Sequence, residues 1–104
     1  MAPQIGPGRM VCSLAGHDKG SLYIVVGEEN GLFLLSDGRL KPLSAPKRKK
    51  AMHFQPGPVT ELASRFGKGE TVRDEDIRRV LKEARKAGKE AGSDFTSASF
   101  YQED

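Results

Sequence analysis

Between residues 9 and 36 the apolar positions come in short blocks cut by polar turns. Met10, Val11 and Cys12 form the first block, Leu22 to Val26 the second, and Leu32 to Leu35 the third. Blocks of this length bounded by Gly, Asn and Asp predict strands, over residues 9–15, 21–27 and 32–36. In the second strand Tyr23 and Val25 share one face, while Leu22, Ile24 and Val26 share the other. The first strand is apolar on both faces, so alternation alone does not assign its inward side. Glu28-Glu29-Asn30-Gly31 and Asp37-Gly38 carry the Asn-Gly and Asp-Gly signals of tight hairpins. They predict a fourth strand over Arg39–Leu43, with Pro42 suited to a sheet edge. A fifth is predicted around Met52, His53 and Phe54. Five short strands in about fifty residues argue for a small barrel.

The pattern changes after Gln55-Pro56-Gly57-Pro58, which reads as a linker. Pro58 suits the first position of a helix and Gly67 its end, with Leu62 and Phe66 on one face. A clearer helix follows near 74–88. Thr71 is its predicted N-cap, and Asp74, Glu75 and Asp76 lie in its first turn, where they complement the helix dipole. Ile77, Val80, Leu81 and Ala84 make its apolar stripe, and Gly88 or Gly92 ends it. The expected organisation is a β domain over 1–57, a helical extension over 58–92 and a disordered tail over 93–104.

Charge sharpens this division. The chain of 104 residues has a net charge of +3. Residues 1–57 hold eight Lys/Arg against four Asp/Glu, and residues 58–104 hold nine against ten. The positive excess therefore belongs to the β half, where Lys47, Arg48, Lys49 and Lys50 follow Pro46 in an expected loop. Such a cluster suits phosphates, since each one neutralised releases counterions.

Gly16-His17-Asp18-Lys19-Gly20 forms a tight corner between the first two strands. Its glycines allow positive φ, Asp18 braces the turn by bonding the local backbone, and Lys19 projects from the tip. With Gly8, Val11 and Val25 this arrangement resembles the KOW motif. The wider run SLAGHDKG, then YIVV, then PKRKKAMHF, is similar to the small bacterial KOW-domain RNA-binding proteins. Those in turn resemble large-subunit ribosomal proteins of the archaeal and eukaryotic type. The likeness spans about half the chain, roughly residues 5–54. It departs at Tyr23, where many KOW motifs carry another glycine, so the second strand is expected to lack the usual bend.

The resemblance implies a mainly β fold, a small SH3-like barrel followed here by two short C-terminal helices. It also implies RNA binding, with ribosomal RNA the expected ligand and ribosomal proteins as further partners. The candidate contacts are His17, Lys19, Lys47, Arg48, Lys49, Lys50 and His53. His17 serves either the turn or an RNA contact. His53 packs on Phe54, caps a strand or meets a phosphate. Tyr23 and Phe33 are expected in the core rather than stacked on bases. The alternative reading is a protein-interaction module, docking its helix stripe on a ribosome or polymerase component.

Other chemistries find little support. The corner lacks the Gly-Lys-Ser/Thr ending of a nucleotide loop, and Ser13 and Ser21 have no His/Asp partners at a known spacing. Catalysis and cofactors are not expected. Two histidines match no zinc pattern, so no metal site is expected. The single Cys12 forms no internal disulfide and is expected to be a small buried side chain. No apolar run approaches the ~20 residues of a membrane helix. The N-terminus shows no leader pattern, so a cytoplasmic location is expected.

Overall fold

The computed structural model describes residues 5–91. Five strands form one antiparallel sheet: β1 (Arg9–Ser13), β2 (Leu22–Glu29), β3 (Leu32–Ser36), β4 (Lys47–Lys49) and β5 (Phe54–Val59). Their spatial order is β4-β3-β2-β1-β5. Two helices follow, α1 (Leu62–Gly67) and α2 (Asp74–Ala91). Over these residues the fold is thus mainly β with two α-helices. The tail expected over 93–104 lies outside the described residues.

The two faces of the sheet carry different cores. Val11, Tyr23, Val25, Leu35 and Phe54 pack together on one face, with Ile5 and Phe33 against them. Met10, Cys12, Leu22 and Ile24 face the other way and meet Leu62, Ile77, Val80 and Leu81 of the helices. Both faces of β1 are therefore buried, which is why its sequence shows no polar side. The predicted division of β2 matches this arrangement, with Tyr23 and Val25 in one cluster and Leu22 and Ile24 in the other.

The sheet is open but strongly curled. Its edge strands β4 and β5 are separated by only four residues, which include a single 3₁₀ turn at Ala51–His53. The edges must therefore converge at that end. Phe33 of β3 meets Phe54 of β5 edge to face, with ring centroids 5.5 Å apart. A register shift between Val25 and Gly27 marks a bulge in β2. Bulges bend a strand and increase its twist, so β2 gains its bend beyond Tyr23 rather than at it. The β2–β3 hairpin closes on Asn30-Gly31, both at positive φ (52° and 81°), the geometry of a primed turn.

Four expectations are corrected. Residues 39–43 form a turn rather than a strand, because the Asp37 carboxylate accepts the amides of Arg39 and Lys41, both at 2.9 Å. This side-chain bonding offers the backbone an alternative to a ladder. The fourth strand lies instead inside the basic cluster, where Lys47, Arg48 and Lys49 pair with Leu35, Leu34 and Phe33. The fifth begins at Phe54, after the 3₁₀ turn, and runs through the residues read as a linker. Pro56 pairs with Val11 and Val59 with Arg9, so a boundary at 57/58 would fall within β5. Finally, the first helix starts later than expected, and the second starts at Asp74 as expected but with a different cap. Thr60 Oγ1 accepts the amide of Leu62 just ahead of α1, leaving Pro58 in the sheet. Before α2 it is Arg73, not Thr71, whose amide is capped, by the Asp76 carboxylate at 2.9 Å. A backbone bond from Arg73 is the chief reason that the Asp76 carboxyl is held below its ordinary range. Burial opposes it, and Arg65 and Arg79 add to the lowering.

Among the described residues no helix is long and apolar enough to cross a membrane.

Candidate nucleic-acid interface

The corner between β1 and β2 is built by short backbone bonds. Ser13 N donates to Ser21 O at 2.9 Å, Gly20 N to Ser13 O at 2.8 Å, and Ser21 N to Asp18 O at 2.9 Å. Gly16 and Gly20 supply the positive φ values, 84° and 92°, that this compact path requires. His17 and Lys19 are exposed on it.

Asp18 turns inward instead of merely bracing the turn. Its Oδ1 accepts from Ser13 Oγ at 2.9 Å, and its Oδ2 from Tyr23 Oη at 2.8 Å. Two lysines of β4 complete the shell, Lys49 Nζ 3.3 Å from Oδ1 and Lys47 Nζ 3.3 Å from Oδ2. The side chains of Asp18 and Lys49 are only 16% and 10% exposed, so this pair is largely withdrawn from solvent. Burial opposes the Asp18 charge. The bonds from Tyr23, Ser13 and Lys49, with the Lys49 charge, outweigh it and hold the carboxyl well below its usual range. Tyr23 shifts the other way, pushed far above an ordinary phenol by burial and by its bond to the carboxylate. It therefore remains a donor throughout the physiological range.

The extended conformation of β4 divides the basic cluster. Side chains alternate along a strand, so Lys47 and Lys49 reach Asp18 while Arg48 points away. Arg48 instead grips Glu29 through Nη2 at 2.8 Å and Nε at 3.1 Å. Only Lys50 of the four is left outside these pairs, and it is exposed at the start of the 3₁₀ turn.

The corner and the end of β4 are nevertheless one surface. Leu14 N donates to His53 O at 2.8 Å, and Lys49 Nζ donates to Ala15 O at 3.2 Å. The segments carrying His17 and Lys19 thus lie beside those carrying Lys50 and His53. Lys47 and Lys49 flank the Asp18 carboxylate there, and Lys19 and Lys50 are carried on the two adjoining segments. Of the seven residues singled out by sequence, six belong to these two adjoining segments. Arg48 faces elsewhere. Tyr23 is buried, as expected, and Phe33 packs on Phe54.

Sequence reasoning missed Asp18 as the organising group, together with its hydroxyl donors. The signal was spacing: Ser13 and Tyr23 stand five residues on either side of Asp18, one on each strand of the hairpin. Cys12 lies beside this centre, fully buried. Desolvation, and secondarily the Asp18 charge, push its thiol up to about 11, which leaves it unreactive near neutral pH.

No protein-family model matches the chain, and no curated protein matches it either.

Proposed function

We propose that this chain is a non-catalytic RNA-binding protein of KOW type, acting in translation or on the ribosome, whose curled sheet is a version of the SH3-like barrel. The ligand is a structured RNA, with ribosomal RNA the first choice, and recognition is through phosphates. One observation carries the reading. The Gly-His-Asp-Lys-Gly corner, which carries Lys19, adjoins the Lys47–His53 segment, which carries Lys50 and lays Lys47 and Lys49 against Asp18. Phosphate contacts position a protein on nucleic acid and carry little base information. The burial of Tyr23 and the packing of Phe33 agree with that mode, since neither ring is presented for stacking.

Asp18 has a definite part in this reading. It fixes Lys47 and Lys49 in place, so their charges contribute to the local field without the entropy of free side chains. Lys19 and Lys50 make the direct contacts, with His17 and His53 at the margin. The competing reading, a protein-docking module, relied on the stripe Ile77, Val80, Leu81 and Ala84, of which Ala84 is partly buried and the other three are buried. Those three side chains pack against the sheet and have no surface to offer.

The test is a salt titration of binding to ribosomal RNA fragments by fluorescence anisotropy. The Lys19→Ala/Lys50→Ala variant is expected to bind more weakly to all fragments. Its log–log salt slope should fall by about 2, the value for two lost phosphate contacts. Unchanged affinity and slope in the folded variant would remove the corner as the interface.

A further inference from the structure

We infer that a second phosphate-binding surface lies in the groove between the 37–41 turn and α2, and that an RNA bound at the corner continues into it. This rests on the RNA reading above and extends it to the helical half of the chain. The groove has a volume of about 600 Å³. Arg39, Arg78, Lys82 and Arg85 line it with Arg79, which is paired with Glu61 and Asp76, and the carboxylates in the lining are Asp37 and Glu75. Arg78, Lys82 and Arg85 follow one another at i, i+4 and i+7, a row about 10 Å long on one side of α2.

The wall is held rigidly. Arg78 Nη1 donates to Gly38 O at 2.6 Å, and the Asp74 carboxylate accepts the amide of Leu43 at 2.8 Å. Gly38 sits so close to the helix that a Cβ there would lie 2.5 Å from Asp74 O. Against this fixed frame Arg39, Lys82 and Arg85 carry their charges outward. Among the described residues none of the three is paired with a carboxylate. Asp37 is already engaged by two backbone amides. The frame that carries these cations is fixed before a ligand arrives, so ligand binding need order only the side chains.

The lining is entirely charged, which argues for the class of ligand. Peptide partners are anchored by apolar and aromatic side chains in desolvated pockets, and bilayer surfaces by inserted apolar groups. This groove has neither. A linear polyanion matches a row of cations better than a single small anion does. The path is also continuous. A smaller depression of about 370 Å³ beside the corner, lined by Asp18 and the exposed Leu40 as well as by His17, Lys41 and Lys47, shares Asp37 with the α2 groove. Lys41 and Arg39 thus bridge the two surfaces.

The test compares four proteins on a hairpin RNA from ribosomal RNA: wild type, Lys19→Ala/Lys50→Ala, Arg39→Ala/Lys82→Ala/Arg85→Ala, and Glu75→Gln. Thermal melts establish that each is folded. The triple groove variant is expected to lose about tenfold or more in affinity, and about 3 in salt slope. Glu75→Gln is expected to tighten binding two- to threefold, roughly the effect of one fewer repulsive charge, a gain that misfolding would not produce. If the groove variant binds like wild type while the corner variant is weakened, the groove inference falls and the RNA reading stands. If wild type binds no RNA, both fall. Vesicles containing phosphatidylserine form a parallel arm. Loss of vesicle binding in the groove variant, with RNA binding intact, would assign the groove to membranes and overturn the inference.

Discussion

The ammonium of Lys49 lies 3.3 Å from Oδ1 of Asp18, although thirty-one positions separate the two residues. This contact ties an edge strand to a hairpin corner, and it accounts for the position of the Lys49 charge. A cation that is 10% exposed keeps its charge at low cost only while its counter-ion is present.

Asp18→Asn should therefore cost about 2 kcal/mol of stability at pH 7, the scale of charge-assisted bonds lost within a partly buried cluster. The cost should depend on pH in one direction. The folded-state pKa of Asp18 is lowered, so its contribution is fully present above the unfolded value of about 3.9 and is lost as pH falls below it. Asparagine does not titrate. Urea melts of both proteins should show a constant gap above about pH 5 that narrows below pH 4. A gap independent of pH down to the acid limit would mean that the carboxylate charge is not what stabilises the corner.

Arg48→Ala offers the contrast. Its partner Glu29 is 51% exposed and Arg48 itself 58%, so the pair is well solvated. The expected loss is at most about 1 kcal/mol, and it should shrink in high salt. Comparing the two variants by denaturant midpoint in low and high salt separates a structural cation pair from a surface one.

Gly38→Ala should destabilise by roughly 2–3 kcal/mol. The residue has φ +75°, and the new methyl would meet Asp74 O at 2.5 Å and Arg78 Cγ at 2.9 Å. The damage should also be local. Amide exchange is expected to rise first in the 37–43 turn and the first turn of α2, which share this contact. Uniform loss of protection would argue against a local clash.

Ile77→Ala and Leu81→Ala should each cost about 2–4 kcal/mol, because both side chains are fully buried against the sheet. Truncation after Gly57 removes these side chains, Leu62 and the end of β5 together. Circular dichroism of such a fragment should show an unfolded chain. A cooperative melt from it would show that the sheet does not need its helical cover.

Much of the fold was legible from local pattern. β3 spans the predicted residues, and the alternation in β2 assigned both faces correctly. The helix stripe Ile77, Val80 and Leu81 is buried where its spacing placed it. The failures share a physical cause. The four successive cations read as a loop presented to phosphates because the partners that draw Lys47 to Lys49 into a strand, Asp18 and Phe33 to Leu35, lie far away in sequence. Residues 39–43 read as a strand because the competing bonds of Asp37 are a matter of side-chain orientation. The α2 groove escaped notice for a third reason. Summed charge over 58–104 is slightly negative, and a sum hides that Arg78, Lys82 and Arg85 share one side of a helix.

The composition of the two sheet edges bears on self-assembly. Exposed edge strands are templates on which a second copy can add by backbone pairing. Here β4 consists of Lys47, Arg48 and Lys49, so two such edges approaching would bring together six cations, balanced by only two carboxylates, Asp18 and Glu29, on each copy. The opposite edge, β5, contains Pro56 and Pro58, which have no amide hydrogen to donate. One side of the sheet therefore repels its own kind, and the other is a poor template. Concentrated, phosphate-free solutions should stay clear of edge-to-edge polymers, whereas a polyanion that neutralises β4 would remove the first of these two protections.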